Sequence, residues 1–198
     1  PQSPTANSTK TSSSMLPKME NFPQPKLFPI QISGGTSKIL QDDDIKLLRA
    51  SFPPRYHNLN WHLLFQLSRD GCLYSSFYKQ VHKQTPIILL LKNNFNDRYG
   101  VYSPSGFQPS SDQYYGTGET FIFRLTPKFE CFRWTKANSF FINCSDNEIA
   151  IGGGSNAAIW IGKSFLLSYS DTCETFASPT LTTKSKSKIF DVEAWKLY

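Results

Sequence analysis

Beyond Asn93 the chain alternates apolar and polar residues with a period of two. In "TFIFRL", Phe121, Phe123 and Leu125 share one face; in "FECFRW", Phe132 and Trp134 oppose Cys131 and Arg133. "SFFINC", "NEIAIGGG", "AAIWIG" and "SFLLSYS" continue the pattern, and "KIFDVEAWKLY" closes it. Such alternation sets one side of a strand on a core and the other toward water. Upstream, "QDDDIKLLRASFPPRY" has a helical spacing: Asp42 or Asp43 can cap it, Ile45, Leu48 and Phe52 fall on one face, and Pro53 and Pro54 stop it. "NWHLLFQL" reads as a strand, "SRDG" as a turn, and "LYSSFYKQVHK" as a second short helix with Leu73, Phe77 and Val81 four residues apart. "PIILLLKN" is apolar without interruption, as a strand buried on both faces would be.

Short strands separated by turn signals, with two short helices, predict a mainly β (α+β) fold: a two-sheet antiparallel β-sandwich. The strand-helix alternation of a parallel α/β fold is missing. Residues 1–38 are rich in Ser, Thr, Pro, Gln and Asn without apolar period, so they are expected to form a disordered tail, with a single domain over 39–198.

Composition supports strands: aromatics make up 15% of the 198 residues, with 16 Phe. The net charge of +6 gathers in Lys10, Lys18, Lys26 and Lys38, against Glu20 alone, and in Lys184, Lys186 and Lys188. A basic balance is compatible with acidic proteins, anionic lipid or nucleic acid and selects none of them. Cys72, Cys131, Cys144 and Cys173 have no C-x-x-C spacing, which argues against a zinc knuckle or thioredoxin-like motif. No signal peptide is visible, and no apolar run approaches a spanning helix. A soluble, monomeric, cytoplasmic domain is expected. A mitochondrial transit peptide fits poorly because the first 38 residues contain no Arg.

"YYGTGETFIFRL" (114–125) raises the question of a phosphate loop. A dinucleotide fingerprint needs three glycines and a following helix; here the third position is Phe121 and a strand follows. The full Walker pattern G-x-x-x-x-G-K-[ST] exists nowhere, since the one Gly-Lys-Ser, at 162–164, has Ala157 where the first glycine would stand, and "GGGS" at 152–155 leads into another strand. Both clusters are expected to be turns or bulges that need the positive φ of glycine. The three histidines, His57, His62 and His82, form no metal-binding spacing, and no G-x-S-x-G elbow is present. No metal, cofactor or small-molecule substrate is expected.

The blocks "YYGTGETFIF", "FRWTKANSFFI", "IAIGGG" running into "IWI", "CETF" and "FDVEAW", after "SFPPRY" and "NWHLLFQLSRDG", resemble the signatures of the TLDc domain family over about residues 40–198. The resemblance implies a two-sheet sandwich with two helices. It also implies a eukaryotic, non-enzymatic protein linked to oxidation resistance. Such a domain would bind the peripheral stalk and catalytic sector of the vacuolar proton-pumping ATPase, drawn to vacuolar or lysosomal membranes. Departures from the family pattern are "SNAAIWI", Gly162-Lys163 in place of an Asp-Gly turn, and "NNFNDRYG" after "LLLK"; they bear on the partner surface rather than on the fold.

Candidate partner-binding residues are Arg69, Asp70, Glu119, Asn138 and Asn156. Glu119 is expected first to accept hydrogen bonds from turn amides, then to touch a partner, with catalysis last. Cys72 precedes a helix, the one weak sign of a reactive thiol, whereas Cys131 and Cys144 read as small buried residues. Two rivals to a binding domain are carried: an antioxidant or hydrolytic enzyme using Cys72 or Glu119, and a nucleic-acid module using the Lys184–Lys188 loop. The last lacks interleaved aromatics in the sequence.

Overall fold

The computed structural model describes residues 26–198. Its helices and strands are β1 (Ile32–Ser33), α1 (Asp42–Ser51), β2 (Trp61–Gln66), α2 (Leu67–Asp70), α3 (Tyr74–Val81), β3 (Ile87–Asn93), β4 (Arg98–Ser103), β5 (Phe121–Arg124), β6 (Glu130–Arg133), β7 (Ile142–Cys144), β8 (Ile149–Ile151), β9 (Ile159–Ile161), β10 (Leu167–Tyr169) and β11 (Lys186–Leu197). Strand order along the main path is β6-β5-β4-β3-β11-β10-β9-β8-β7. β2 joins the far side of β11, and β1 adds to β2 in the one parallel pairing among the described strands.

The last strand joins the two layers. Lys186 to Lys188 pair with β10, Ile189 to Lys196 with β3, and Glu193 to Leu197 with β2. Its register shifts between Ile189 and Asp191 and again between Ala194 and Trp195. Each extra residue bends and twists the strand, which lets one strand belong to both sheets. The period of the sequence explains the layering. Ile87, Leu89 and Leu91 of β3 face a core shared with Ile149, Ile151, Ile159 and Ile161, closed by Phe77 and Val81 of α3. Ile88 and Leu90 face a second core with Trp61, Trp195 and Leu48 of α1. The uninterrupted apolar run is therefore the middle of three layers, buried on both sides as expected.

Local details differ from the expectations at several points. The N-cap of α1 is Gln41, not Asp42 or Asp43, and the Asp44 carboxylate returns to accept the Gln41 amide at 2.8 Å. Asp44 is held there because it also pairs with Arg98 of β4. "SRD" lies in a single helical turn, so the described residues hold three α-helices rather than two. In α3 the buried residues are Tyr74, Phe77 and Val81, and Leu73 lies outside as the N-cap. Tyr74 takes the inner place because its ring stacks on Phe165 at 4.4 Å and its hydroxyl donates to the Ile161 carbonyl at 3.1 Å.

Of the segment expected as a tail, residues 1–25 lie outside the described residues. Residues 27–38 instead run along the domain: Phe28 and Gln31 amides donate to Asn58 and Asn60 at 2.9 Å each, and β1 pairs with β2. Ser37 and the Lys38 amide both donate to buried Glu193, each at 2.6 Å. Order in this stretch comes from bonds to its neighbours, which its own lack of apolar period could not announce.

Candidate interaction site

At one end of the sandwich, three loops are laced together by their own polar groups: residues 134–141, 152–155 and 172–178. The buried hydroxyl of Thr175 donates to Asn138 Oδ1 at 2.7 Å and accepts the Gly153 amide at 2.9 Å. The Thr135 amide donates to the Thr175 carbonyl at 3.0 Å, and the Gly152 amide to the Phe141 carbonyl at 2.8 Å. The Trp134 indole donates to the Asn138 carbonyl at 2.7 Å. Beside them Glu174 accepts both the amide and the hydroxyl of Ser155, at 3.3 and 2.9 Å. Thr135, Ala137, Ser155, Cys173 and Glu174 line a surface depression of about 490 Å³.

The glycine clusters are explained by this lacing. Gly116 has φ +123, and a side chain there would meet Phe141 Cβ at 2.8 Å. Gly118 does not have a positive φ; it is glycine because Trp134 lies directly on it, a correction to the turn-only expectation. Gly152 and Gly154 have positive φ, and Gly154 is also covered by the Glu174 carboxylate at 2.7 Å. The glycines thus serve turns and close packing, with strand and loop where a phosphate loop would need a helix.

Glu119 borders this end through Gly118. Its carboxylate is not held by turn amides, as was expected; it pairs with Arg55, while the Thr117 hydroxyl accepts the Glu119 amide at 3.3 Å. The Arg55 guanidinium also lies over the Tyr56 ring, 4.4 Å from the centroid. Asn138 is a component of the lacing, and Asn156 is exposed next to Ser155. Arg69 and Asp70 are not brought here. Arg69 donates to the carbonyls of Gly34 and Leu64 at 2.8 Å each and pairs with Asp70, which accepts the Gln66 amide at 2.8 Å. The Arg69 guanidinium beside it holds the Asp70 carboxyl below its ordinary value.

Tyr114 and Phe140, absent from the expected set, present exposed rings 4.9 Å apart at the rim of the loop end. Glu174 and Thr175 were also missed, although "CETF" is one of the recurring blocks; spacing alone does not show that their partners lie 19 to 37 residues away in the chain. Among the described residues no group of three or more His, Cys, Asp or Glu side chains could hold a metal. Burial pushes the thiols of Cys131 and Cys144 up to about 11 each, which leaves them protonated at neutral pH. Cys72 is the exposed thiol, two residues ahead of α3. The expected Lys184–Lys188 loop is corrected in part: Lys186 and Lys188 open β11, and the cross-strand partner Tyr169 brings an aromatic ring 5.4 Å from Lys186 Nζ. No helix among the described residues is long and apolar enough to cross a membrane.

A family model described as TLDc domain matches residues 33–198. Oxidation resistance protein 1 of Xenopus tropicalis is 33% identical over 179 residues, covering 89% of this chain and 20% of that protein. The protein of the same name from Homo sapiens is 33% identical over 161 residues, 80% of this chain and 18% of that protein. Nuclear receptor coactivator 7 of Gallus gallus is 32% identical over 161 residues, 80% of this chain and 17% of that protein. The chain spans about a fifth of the length of these relatives.

Proposed function

The chain belongs to the TLDc domain family, and from that premise we propose that it acts by binding rather than by turnover, with the loop end as the docking surface. The partner is the vacuolar proton-pumping ATPase, engaged at its peripheral stalk and catalytic sector. The observation that carries this reading is the internal use of the polar groups at that end. Thr175, Asn138 and Glu174 hydrogen-bond to one another's loops, which fixes a rigid rim. Tyr114, Phe140 and the Arg55–Glu119 pair remain on the outside of it. Exposed aromatics on a fixed frame suit recognition, since little ordering entropy is lost on docking. A link to oxidation resistance, which is in the name of some of the similar proteins, follows as a consequence of altered pump function.

Regulation requires that the domain bind two assembly states of the pump unequally; equal affinity shifts nothing. The test is a titration of the purified chain onto vacuolar membranes, with ATPase rate and release of the catalytic sector read together. A saturable, dose-dependent shift that is lost in Tyr114→Ala/Phe140→Ala supports the proposal. No shift, with folded protein and active membranes, overturns it. A thiol antioxidant reading rests on Cys72, the exposed cysteine. Stress protection that persists in Cys72→Ala removes that alternative, and persistence in Glu119→Gln removes the hydrolytic one.

A further inference from the structure

The lysines of one face differ from the arginines of this domain and from Lys46 and Lys128, which pair with Asp43 and Glu130. Each arginine is engaged internally: Arg55, Arg69, Arg98 and Arg124 in ion pairs, Arg49 with the His57 carbonyl at 2.8 Å, Arg133 with the Ser51 carbonyl at 2.6 Å. The lysines where β10, β11 and the β3–β4 turn meet have no such partner. Lys92, Lys184, Lys186 and Lys188 pair with no carboxylate among the described residues. Two nearby acids are already taken: Asp97 is buried under Thr183, and Asp191 is buried under Ser68. On β11 the alternation turns Lys186, Lys188 and Phe190 outward while Ser187 is buried.

Large apolar side chains stand among these lysines. Phe190 is 68% exposed, with Lys92 Nζ 5.6 Å from its ring centroid. Leu166, whose carbonyl accepts the Ile189 amide at 3.1 Å, is 64% exposed. Phe95 is also exposed, in the turn tied to β11 by Asn94, whose side chain accepts the Lys188 amide at 2.9 Å. Phe95, Leu167, Lys186 and Lys188 line a shallow recess of about 300 Å³.

We propose that this face of β10 and β11 docks on an anionic lipid surface, with Phe190 and Leu166 entering the headgroup region and Lys92, Lys184, Lys186 and Lys188 meeting the lipid charge. Three features favour a membrane over an acidic protein or a nucleic acid. The cations are all lysine, a flexible point charge suited to a diffuse anionic field, whereas arginine is the better fork for a single carboxylate or phosphate. The apolar groups protrude and are flanked by lysine stems that can lie along them with their charges at the interface. Each lysine near an anionic leaflet adds on the order of 1 kcal/mol, about five-fold in affinity, so four make a sizeable attraction. The proposal stands on this face alone and does not depend on the pump reading. Were both true, the two surfaces would address the protein and the lipid of one membrane separately.

Co-sedimentation of the full chain with phosphatidylcholine vesicles, with and without phosphatidylserine, tests it. Binding is expected only with phosphatidylserine, and it should fall as salt rises. Lys186→Glu/Lys188→Glu should weaken it at least about ten-fold. Phe190→Ala/Leu166→Ala should weaken it several-fold at unchanged charge, with unfolding midpoints near wild type in both. Absence of binding to anionic vesicles at low salt overturns the proposal. So does vesicle binding that ignores the lysine reversal. If duplex DNA or polyglutamate binds through the lysines as strongly as the vesicles and Phe190→Ala has no effect, the face reads bare charge and the lipid assignment fails.

Discussion

The loop end and the β10–β11 face use polar side chains in opposite ways. At the loop end a hydroxyl, an amide and a carboxylate are tied to neighbouring loops, and two glycines are covered by the rings of Trp134 and Phe141. On the β10–β11 face the lysines pair with no carboxylate among the described residues and lie at most over aromatic rings, and the apolar side chains among them point out. The first arrangement fixes a shape, as recognition of one protein surface requires. The second fixes a charge density and leaves geometry loose, which suffices for a fluid surface. It follows that substitutions at the loop end should act through folding as well as binding, while those on the face should act on binding alone.

The largest effect is expected for Gly118→Ala. The added Cβ would overlap the Trp134 ring, so the ring must move and give up its bond to the Asn138 carbonyl. Overpacking of this kind costs about 1–3 kcal/mol, read as a lowered denaturant midpoint at unchanged slope. A midpoint equal to wild type would mean that the lacing is soft, and the contrast between the two surfaces would fail.

Thr175→Val comes next. It keeps the shape but removes the donor to Asn138 and the acceptor for Gly153 in a site with no exposure. Leaving buried partners unsatisfied costs about 1–3 kcal/mol. Thr175→Ser, which keeps the hydroxyl, should restore most of the loss; failure to do so would assign the effect to the methyl group and its packing.

How far these regions were legible follows from what each depends on. The strands were legible because their periods are local: "TFIFRL" and "IILLLKN" declare by spacing which faces are buried, and the two cores follow. The cap of α1 was not, because Asp44 takes its role from Arg98, 54 residues away. The order of residues 32–38 was hidden for the same reason, its bonds being made to β2 and Glu193. Glu119 stood out in the sequence, but its partner Arg55 lies 64 residues away. The lysine face was seen as a charge run and not as a surface, since Tyr169 and Phe95 join it only by cross-strand pairing and a turn.

A smaller, pH-dependent effect is expected at Asp70, outside both surfaces. Its folded pKa lies below the ordinary 3.8 because Arg69 stabilises the carboxylate. A depressed carboxyl contributes stability in full above the unfolded value and loses it as pH falls through the folded one. Melting midpoints of wild type and Asp70→Asn should therefore differ at neutral pH and converge as the solution is acidified below 3.8. Parallel curves down to the lowest pH would mean that the carboxylate's charge, with its Arg69 partner, adds nothing measurable to stability.

The smallest effect on stability, and the one that sharpens the comparison most, concerns Arg55 and Glu119. They belong to the loop end by position, yet their side chains are 54% and 40% exposed, more like the lysine face than like Thr175. Exposed ion pairs contribute little because water and salt screen them and two long side chains must be ordered. Arg55→Ala, Glu119→Gln and the double variant should therefore unfold at the wild-type midpoint within error, with no coupling between the two sites. If the loop end is a docking rim, the same variants should still weaken the effect on the pump, since a partner that covers the pair would exclude the water that screens it. A clear loss of midpoint, shared non-additively by both single variants, would instead make the pair a structural tie like Thr175–Asn138. Tyr114 and Phe140 would then be the remaining exposed elements of the rim on which recognition could rest.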